Sequence, residues 1–350
     1  MRILVMADTI GALSSQEAGS VISSGWDGAQ VTVLPVGASG HDFAHAYADQ
    51  LGAELGQLVG GEYLVTTART GTVAVAQVTG PAGGTGIPYA ASSRPLGETM
   101  ADLLRPGVLR PGPPERLVVD LSGLWVHDGG AGLLAGLGAT ADRPLDAGVT
   151  GLTGITSLDL GPALALLQHT DLVGVVPADQ LSTPLLGLRG ITSLRRDPDQ
   201  PELMLSTDAT LAAYAQLAGP ELSARPGAGA CGGLGLAILA LGGRLSTGPA
   251  LALEPVDLRG VELVVTGCSV FDFASRGGGV VAAAAEVAAE VIAPCVVEAG
   301  EVLIGSREMR TMGIEAVYAV HESSLDAPVG AVTDAELAAC ARRVARSWRW

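Results

Sequence analysis

Apolar positions in this chain fall into short unbroken runs near both ends and into mixed, turn-rich patterns between them. Arg2-Ile3-Leu4-Val5-Met6-Ala7 is continuous and stops at Asp8, which predicts a buried first strand. Ser14 and Ser15 followed by Glu17 look like a helix N-cap. Gln30 to Val36 reads as a second strand, and His41 to Leu58 as a helix with Phe43, Tyr47, Leu51 and Leu55 spaced by four. From Glu62 the rhythm changes. Tyr63 to Thr67 and Gly71 to Thr79 are rich in Val and Thr and predict a hairpin.

The middle resumes with a helix over Leu96 to Leu104 and a Pro/Gly-dense linker from Arg105 to Glu115. Leu117 to Leu121 and Asp171 to Val176 read as strands, Gly130 to Leu137 and Pro201 to Ala218 as helices. Gly229 to Leu241 is apolar on every face, so it should be central. The last third returns to alternation, with strands at Val261 to Thr266 and Glu315 to Val320 and helices at Gly279 to Ile292 and Asp334 to Ser347. The simplest assembly is α/β and discontinuous. Residues 1–60 and 260–350 would form a doubly wound domain of the Rossmann or flavodoxin type, and 61–259 an inserted α/β domain. A cleft between them would be the default ligand site.

Composition narrows the partners. The 350 residues carry 36 acids against 20 bases, and every base is arginine; the chain contains no lysine. The net charge of −16 argues against nucleic acid or an anionic membrane as partner. The strongly apolar run Leu234 to Leu241 is too short to span a bilayer, and the first strand too short for a signal-peptide core. Cys231, Cys268, Cys295 and Cys340 form no close pair, as expected of reduced thiols in a cytoplasmic protein. A homodimer is compatible with such a chain.

Candidate chemistry is concentrated in a few places. Asp8 ends the first strand, where open α/β sheets present ligands and metals. Asp128-Gly129-Gly130-Ala131-Gly132 opens a helix: the aspartate either caps that helix or holds Mg²⁺, while the glycine amides receive an anion. Pro226-Gly227-Ala228-Gly229-Ala230-Cys231-Gly232-Gly233 is either a close helix contact or a nest of amides around phosphate. It is not a Walker A loop, since no Gly-Lys-Ser/Thr follows. His41 and His45 have zinc-compatible spacing but no obvious third ligand; a solvated helix face is the plainer reading. No Gly-x-Ser-x-Gly elbow supports serine hydrolysis.

Taken in order, these pieces resemble the bacterial glycerate kinase family over nearly the whole chain. The resemblance rests on Asp8 with Leu13-Ser14-Ser15, Val78-Thr79-Gly80-Pro81 and Asp128-Gly129-Gly130-Ala131-Gly132 with Leu137-Gly138-Ala139. It continues through Pro184-Leu185-Leu186-Gly187, Pro226 to Gly229 with Gly232 to Gly235, Val264 to Gly267 with Asp272, and Met312 to Val317. It implies a two-domain α/β protein that uses Mg²⁺ and ATP to phosphorylate a hydroxyl of D-glycerate or a related small hydroxy acid. It further implies Asp8, Asp128 and Asp272 as catalytic carboxylates, with Asp8 and Asp272 on Mg²⁺. Gly129, Gly130, Gly227, Gly229, Gly232 and Gly233 would contact phosphate, with Arg225 or Arg276 in place of the lost lysines.

The departures from the family pattern are mostly polar. The lysine of the usual Asp-Ser-Phe-Lys-Gly is missing from Asp8-Thr9-Ile10-Gly11. Gly-Gly-Ser-x-Thr-Asn has become Ser122 to His127. Thr-Gly-Glu-Gly-Arg-x-Asp-x-Gln-Thr, continuing to Gly-Lys, has become Thr266 to Ser275 and then Gly277-Gly278-Gly279. Glycines and apolar strands survive where polar groups do not. Two readings follow: a kinase in which arginines replace lysines, or a catalytically degenerate relative that binds a metabolite or a protein.

Overall fold

The computed structural model describes residues 1–81, 83–106, 112–321 and 332–348. The chain divides into two compact units. One comprises Met1–Ala38, His45–Gly52 and Gly248–Trp350; the other comprises Ser39–Ala44 and Ala53–Thr247. The segment 53–60, expected with the N-terminal piece, thus groups with the middle of the chain, and 248–259 with the ends.

The first unit is built on a five-stranded parallel sheet. Its order is Ala316–Ala319, Cys295–Val302, Leu263–Phe271, Arg2–Ala7, Gln30–Val33. Numbered within the unit, that is 5-4-3-1-2, the flavodoxin-like arrangement. Ile3 to Met6 are buried on both sides of the sheet, as their unbroken apolar run requires. One face is covered by helices Ser15–Ser23 and Asp334–Trp348 through Ile22, Leu337 and Val344. The other is covered by Gly278–Val291 through Val281, Ala284 and Ala288. The first helix begins with a full capping box: Ser14 accepts from Glu17 N, and Glu17 accepts from Ser14 N.

The second unit holds a six-stranded mixed sheet. Its order is Arg244–Ser246, Asp171–Val175, Arg116–Asp120, Val73–Thr79, Tyr63–Arg69, Leu55–Gly60. The first four run parallel and the last two are added antiparallel. The helix expected over 41–58 therefore needs correction. It ends at Leu51, where Gly52 takes φ +62° and closes the last turn. Leu55–Gly60 is an edge strand, joined to Tyr63–Arg69 by a two-residue turn at Gly61 (φ +63°). The strand Cys295–Val302 had no counterpart in the pattern, because Glu298, Gly300 and Glu301 interrupt its apolar run. Of the linker expected over 105–115, residues 107–111 lie outside those described.

Candidate functional site

In the first unit the strand order reverses between Arg2–Ala7 and Leu263–Phe271, and ligands of such sheets sit beyond the C-terminal ends at that reversal. Asp8 and Asp272 follow these two strands. Asp8 N donates to Gly267 O at 2.9 Å, and Asp8 Oδ1 accepts from Thr9 N at 2.8 Å. Ser269 Oγ accepts from Gly11 N at 3.0 Å and bonds Thr9 O at 3.1 Å, so the two strand-end loops are stitched together. Asp272 Oδ1 accepts from Ser275 Oγ and N at 2.7 and 2.6 Å, and these bonds hold its carboxyl below the usual range. Burial, reinforced by the negative charges of Asp8 and Asp272, pushes the Cys268 thiol up to about 12, so it remains a thiol at neutral pH.

Three glycines enter the helix beside these carboxylates. Gly277 and Gly278 have φ +78° and +84°, and a Cβ on Gly278 would lie 3.6 Å from Asp8 Oδ2. Arg276 precedes them in a left-handed conformation (φ +52°). It is exposed, with its guanidinium 6.0 Å from the Phe273 ring centroid. A cavity of about 230 Å³ opens there between Arg276, Arg307, Phe273, Ile304 and Met312.

In the second unit the two glycine runs of the sequence meet each other. Gly129 N donates to Gly232 O at 3.2 Å, and a Cβ on Gly233 would lie only 2.6 Å from Gly129 Cα. Gly130 N donates to Asp128 Oδ1, Gly229 N to Thr183 O and Gly233 N to Gly229 O. The amides of Gly129, Gly130, Gly229 and Gly233 are thus engaged within the protein. Where the two runs meet, these glycines permit close packing of backbone on backbone. Gly227 is buried under Leu245, and Arg225 is an exposed residue of the preceding turn.

Asp128 is fully buried. Its Oδ2 accepts from Ser93 N, Ser93 Oγ and Gly132 N, and its Oδ1 from Gly130 N. Burial raises its pKa, opposed by those four bonds. Such a carboxylate ties the helix entry at Ser93 to the helix entry at Ala131 and presents no surface to a substrate. Among the predicted acids, Asp8 and Asp272 share the strand reversal of the first unit, while Asp128 belongs to the second.

A cavity of about 520 Å³ lies in the second unit. Its walls include Trp125, Gln180, Arg189, Leu194, Arg195 and Gly232. The Arg195 guanidinium lies 4.1 Å from the Trp125 ring centroid, and its Nη1 donates to Val126 O. Burial lowers Arg195 to about 10, still a cation at neutral pH. His127 behind it is lowered to about 3 by burial and by Arg195, so the imidazole is neutral and meets Thr192 Oγ1 at 3.1 Å. The turn Cys231-Gly232-Gly233 is left-handed throughout (φ 52°, 74°, 91°), and Cys231 N donates to Gln180 Oε1 at 2.8 Å. Asp120 ends a strand as Asp8 does. Burial raises it to about 6, and its oxygens accept from Ser122 and from Gly40 N at 2.6 Å.

The family model described as the glycerate kinase family matches residues 3–349. The chain belongs to the glycerate kinase family. An uncharacterized protein of Mycobacterium tuberculosis (strain CDC 1551 / Oshkosh) is 32% identical over 92% of this chain and 84% of its own length. The glycerate kinase of Bacillus subtilis (strain 168) is 25% identical, covering 91% of this chain and 90% of that one. The glycerate 2-kinase of Escherichia coli K12 is 27% identical over 67% of this chain and 63% of its own. In fold, the chain is similar to the crystal structure of a putative glycerate kinase 2 from Salmonella typhimurium LT2. The TM-score is 0.78 at 22% identity, with 99% of this chain and 98% of the other covered. Membership supports a kinase-type function and use of ATP.

No three His, Cys, Asp or Glu side chains gather to hold a metal among the described residues. His45 is half-buried, and the side chain of His41 lies outside those described. No described helix is long and apolar enough to cross a membrane. Sequence reasoning missed Arg195, Arg189 and Asp120. Asp120 had a readable signal, an acid closing a buried apolar run; an arginine between Leu194 and Arg196 had none.

Proposed function

We propose that the protein binds Mg-ATP and a small hydroxy acid but transfers phosphoryl to D-glycerate very slowly. The carrying observation is the glycine entry beside Asp8. Phosphoryl transfer rests on positive groups placed where negative charge develops. At the position where the family resemblance puts lysine stands Gly279, next to Gly278, whose Cβ position is 3.6 Å from Asp8 Oδ2. Arg276 nearby is exposed and turned over Phe273, and arginine is a less mobile phosphate ligand than lysine.

The donor set around the strand reversal fits a magnesium–nucleotide. Mg²⁺ needs only one or two carboxylates when phosphates and water complete its shell, so the lack of a three-acid cluster is no objection. Asp8 and Asp272 would hold it, and it would neutralise charge between the terminal phosphates. Ser275 fixes Asp272 Oδ1 and so orients the carboxylate for that role. The amides at the start of the Gly278–Val291 helix would face the phosphates. Cys268 contributes no base or nucleophile, because its thiol stays protonated.

A second reading, an active kinase using Arg276, is favoured by one observation: Arg276 holds a left-handed conformation in the loop after Asp272. A coupled ADP-release assay with Mg-ATP and D-glycerate, run beside calorimetric titration of each ligand, separates the two. Binding with negligible turnover supports the degenerate reading. Turnover in the ordinary kinase range that is lost in Arg276→Ala supports the other.

A further inference from the structure

The 520 Å³ cavity is large for a three-carbon acid. Pockets of roughly 300–1,000 Å³ enclose ligands of drug size. Its lining is also unlike what glycerate needs. Trp125, Pro184, Ile191 and Leu194 supply apolar wall, and Trp125 and Leu194 stay 38% and 61% exposed. A three-carbon polyhydroxy acid has Gln180, Ser182 and Thr183 for its hydroxyls but leaves that apolar wall uncovered. A ligand with an apolar body would cover it favourably.

Beside Gln180, Ser182 and Thr183, the lining carries two arginines, one of them already oriented. Arg195 is fixed by the Trp125 ring on its face and by Val126 O on Nη1. Among the described residues no acceptor meets its Nε or Nη2, which leaves guanidinium edge for a carboxylate. Arg189, exposed, lines the same cavity. The neutral His127 adds no competing charge. Asp179, also in the lining, disfavours a second carboxylate on the ligand.

We propose that this cavity takes a monocarboxylic hydroxy acid bearing an aryl or branched alkyl group, with its carboxylate on Arg195 and Arg189 and its apolar body against Trp125, Ile191 and Leu194. The inference rests on the reading that the protein binds a hydroxy acid, and it narrows that acid's class. Arg195 sets the orientation, and the apolar wall sets the preference over glycerate.

The test is calorimetric titration of the full chain with D-glycerate and with D-phenyllactate, repeated with Leu194→Ser and Arg195→Lys. Leu194 is exposed, so its variant should keep the wild-type Tm. Phenyllactate is expected to bind at least tenfold more tightly than glycerate. Leu194→Ser should remove most of that difference by weakening phenyllactate, and Arg195→Lys should weaken both acids about tenfold. Glycerate binding equal to or tighter than phenyllactate, unaffected by Arg195→Lys, overturns this placement and leaves the hydroxy-acid reading standing. Failure of both acids to bind to a protein that still binds Mg-ATP overturns that reading, and this inference with it.

Discussion

Ser93 and Asp128 are joined by two bonds across 35 residues: Ser93 N and Oγ both donate to Asp128 Oδ2 at 2.8 Å. Ser93 Oγ in turn accepts from Leu133 N at 2.8 Å. The motif aspartate thus acts as a structural acceptor between two helix entries. Asp128→Ala leaves four buried donors unpaired, at about 1–3 kcal/mol each before relaxation. The variant is expected to lose at least about 3 kcal/mol in urea denaturation, a large share of an ordinary domain's stability. An Asp128→Ala protein with wild-type stability would return Asp128 to a purely functional role.

A second prediction concerns Glu298, which is fully buried on its strand with neither carboxylate oxygen hydrogen-bonded. Burial raises it from about 4.5 to about 8, against smaller opposing effects of Cys340 and Arg343. The folded state therefore holds this proton more tightly than the unfolded chain does. Its contribution to stability is complete below pH 4.5 and is lost as pH rises towards 8, at up to about 1.4 kcal/mol per pH unit. Glu298→Gln mimics the neutral acid. It is expected to flatten the decline in urea midpoint between pH 5 and pH 8.5 and to be the more stable protein at the upper end. Parallel pH profiles for the two proteins would contradict this.

Much of this architecture is legible in the sequence because buried parallel strands leave unbroken apolar runs. Ile3 to Met6 and Leu263 to Val265 are of that kind, and the Ser14/Glu17 cap is a local signal that no distant contact alters. Leu55–Gly60 was misread because Leu51 and Leu55 continue the helical spacing, while Gly52 ends the helix regardless. Cys295–Val302 was missed because Glu298 sits in a position that pattern reading reserves for apolar side chains. In the candidate site, Asp8 could be placed from a strand end, and Asp272 only from the family resemblance, because the expected strand stopped at Thr266. The cavity around Trp125 and Arg195 depends on residues 70 positions apart meeting through the fold. The glycine runs showed that something approaches closely, but the approaching group is the other run.

A third prediction tests the missing ammonium directly. Gly279 is exposed and has no positive φ; a Cβ there would meet Ala38 Cβ at 3.0 Å, which a small shift relieves. Gly279→Lys is expected to raise kcat for D-glycerate at least tenfold, with Tm within a few degrees of the parent. One electrostatic donor is typically worth about 10²–10³ in rate, and other lost positions hold the gain below that. An unchanged kcat in a folded variant would mean that lysine at this position is not what limits transfer.

The central claim is slow transfer on a protein that still binds its ligands. It is tested most directly by steady-state kcat with saturating Mg-ATP and D-glycerate, on protein shown by calorimetry to bind the nucleotide. Kinases usually turn over at about 1–100 s⁻¹, and loss of even one charged donor, at about 10²–10³, places the expected value below about 1 s⁻¹. A kcat of about 1 s⁻¹ or more would contradict the account and identify an active kinase that works without lysine.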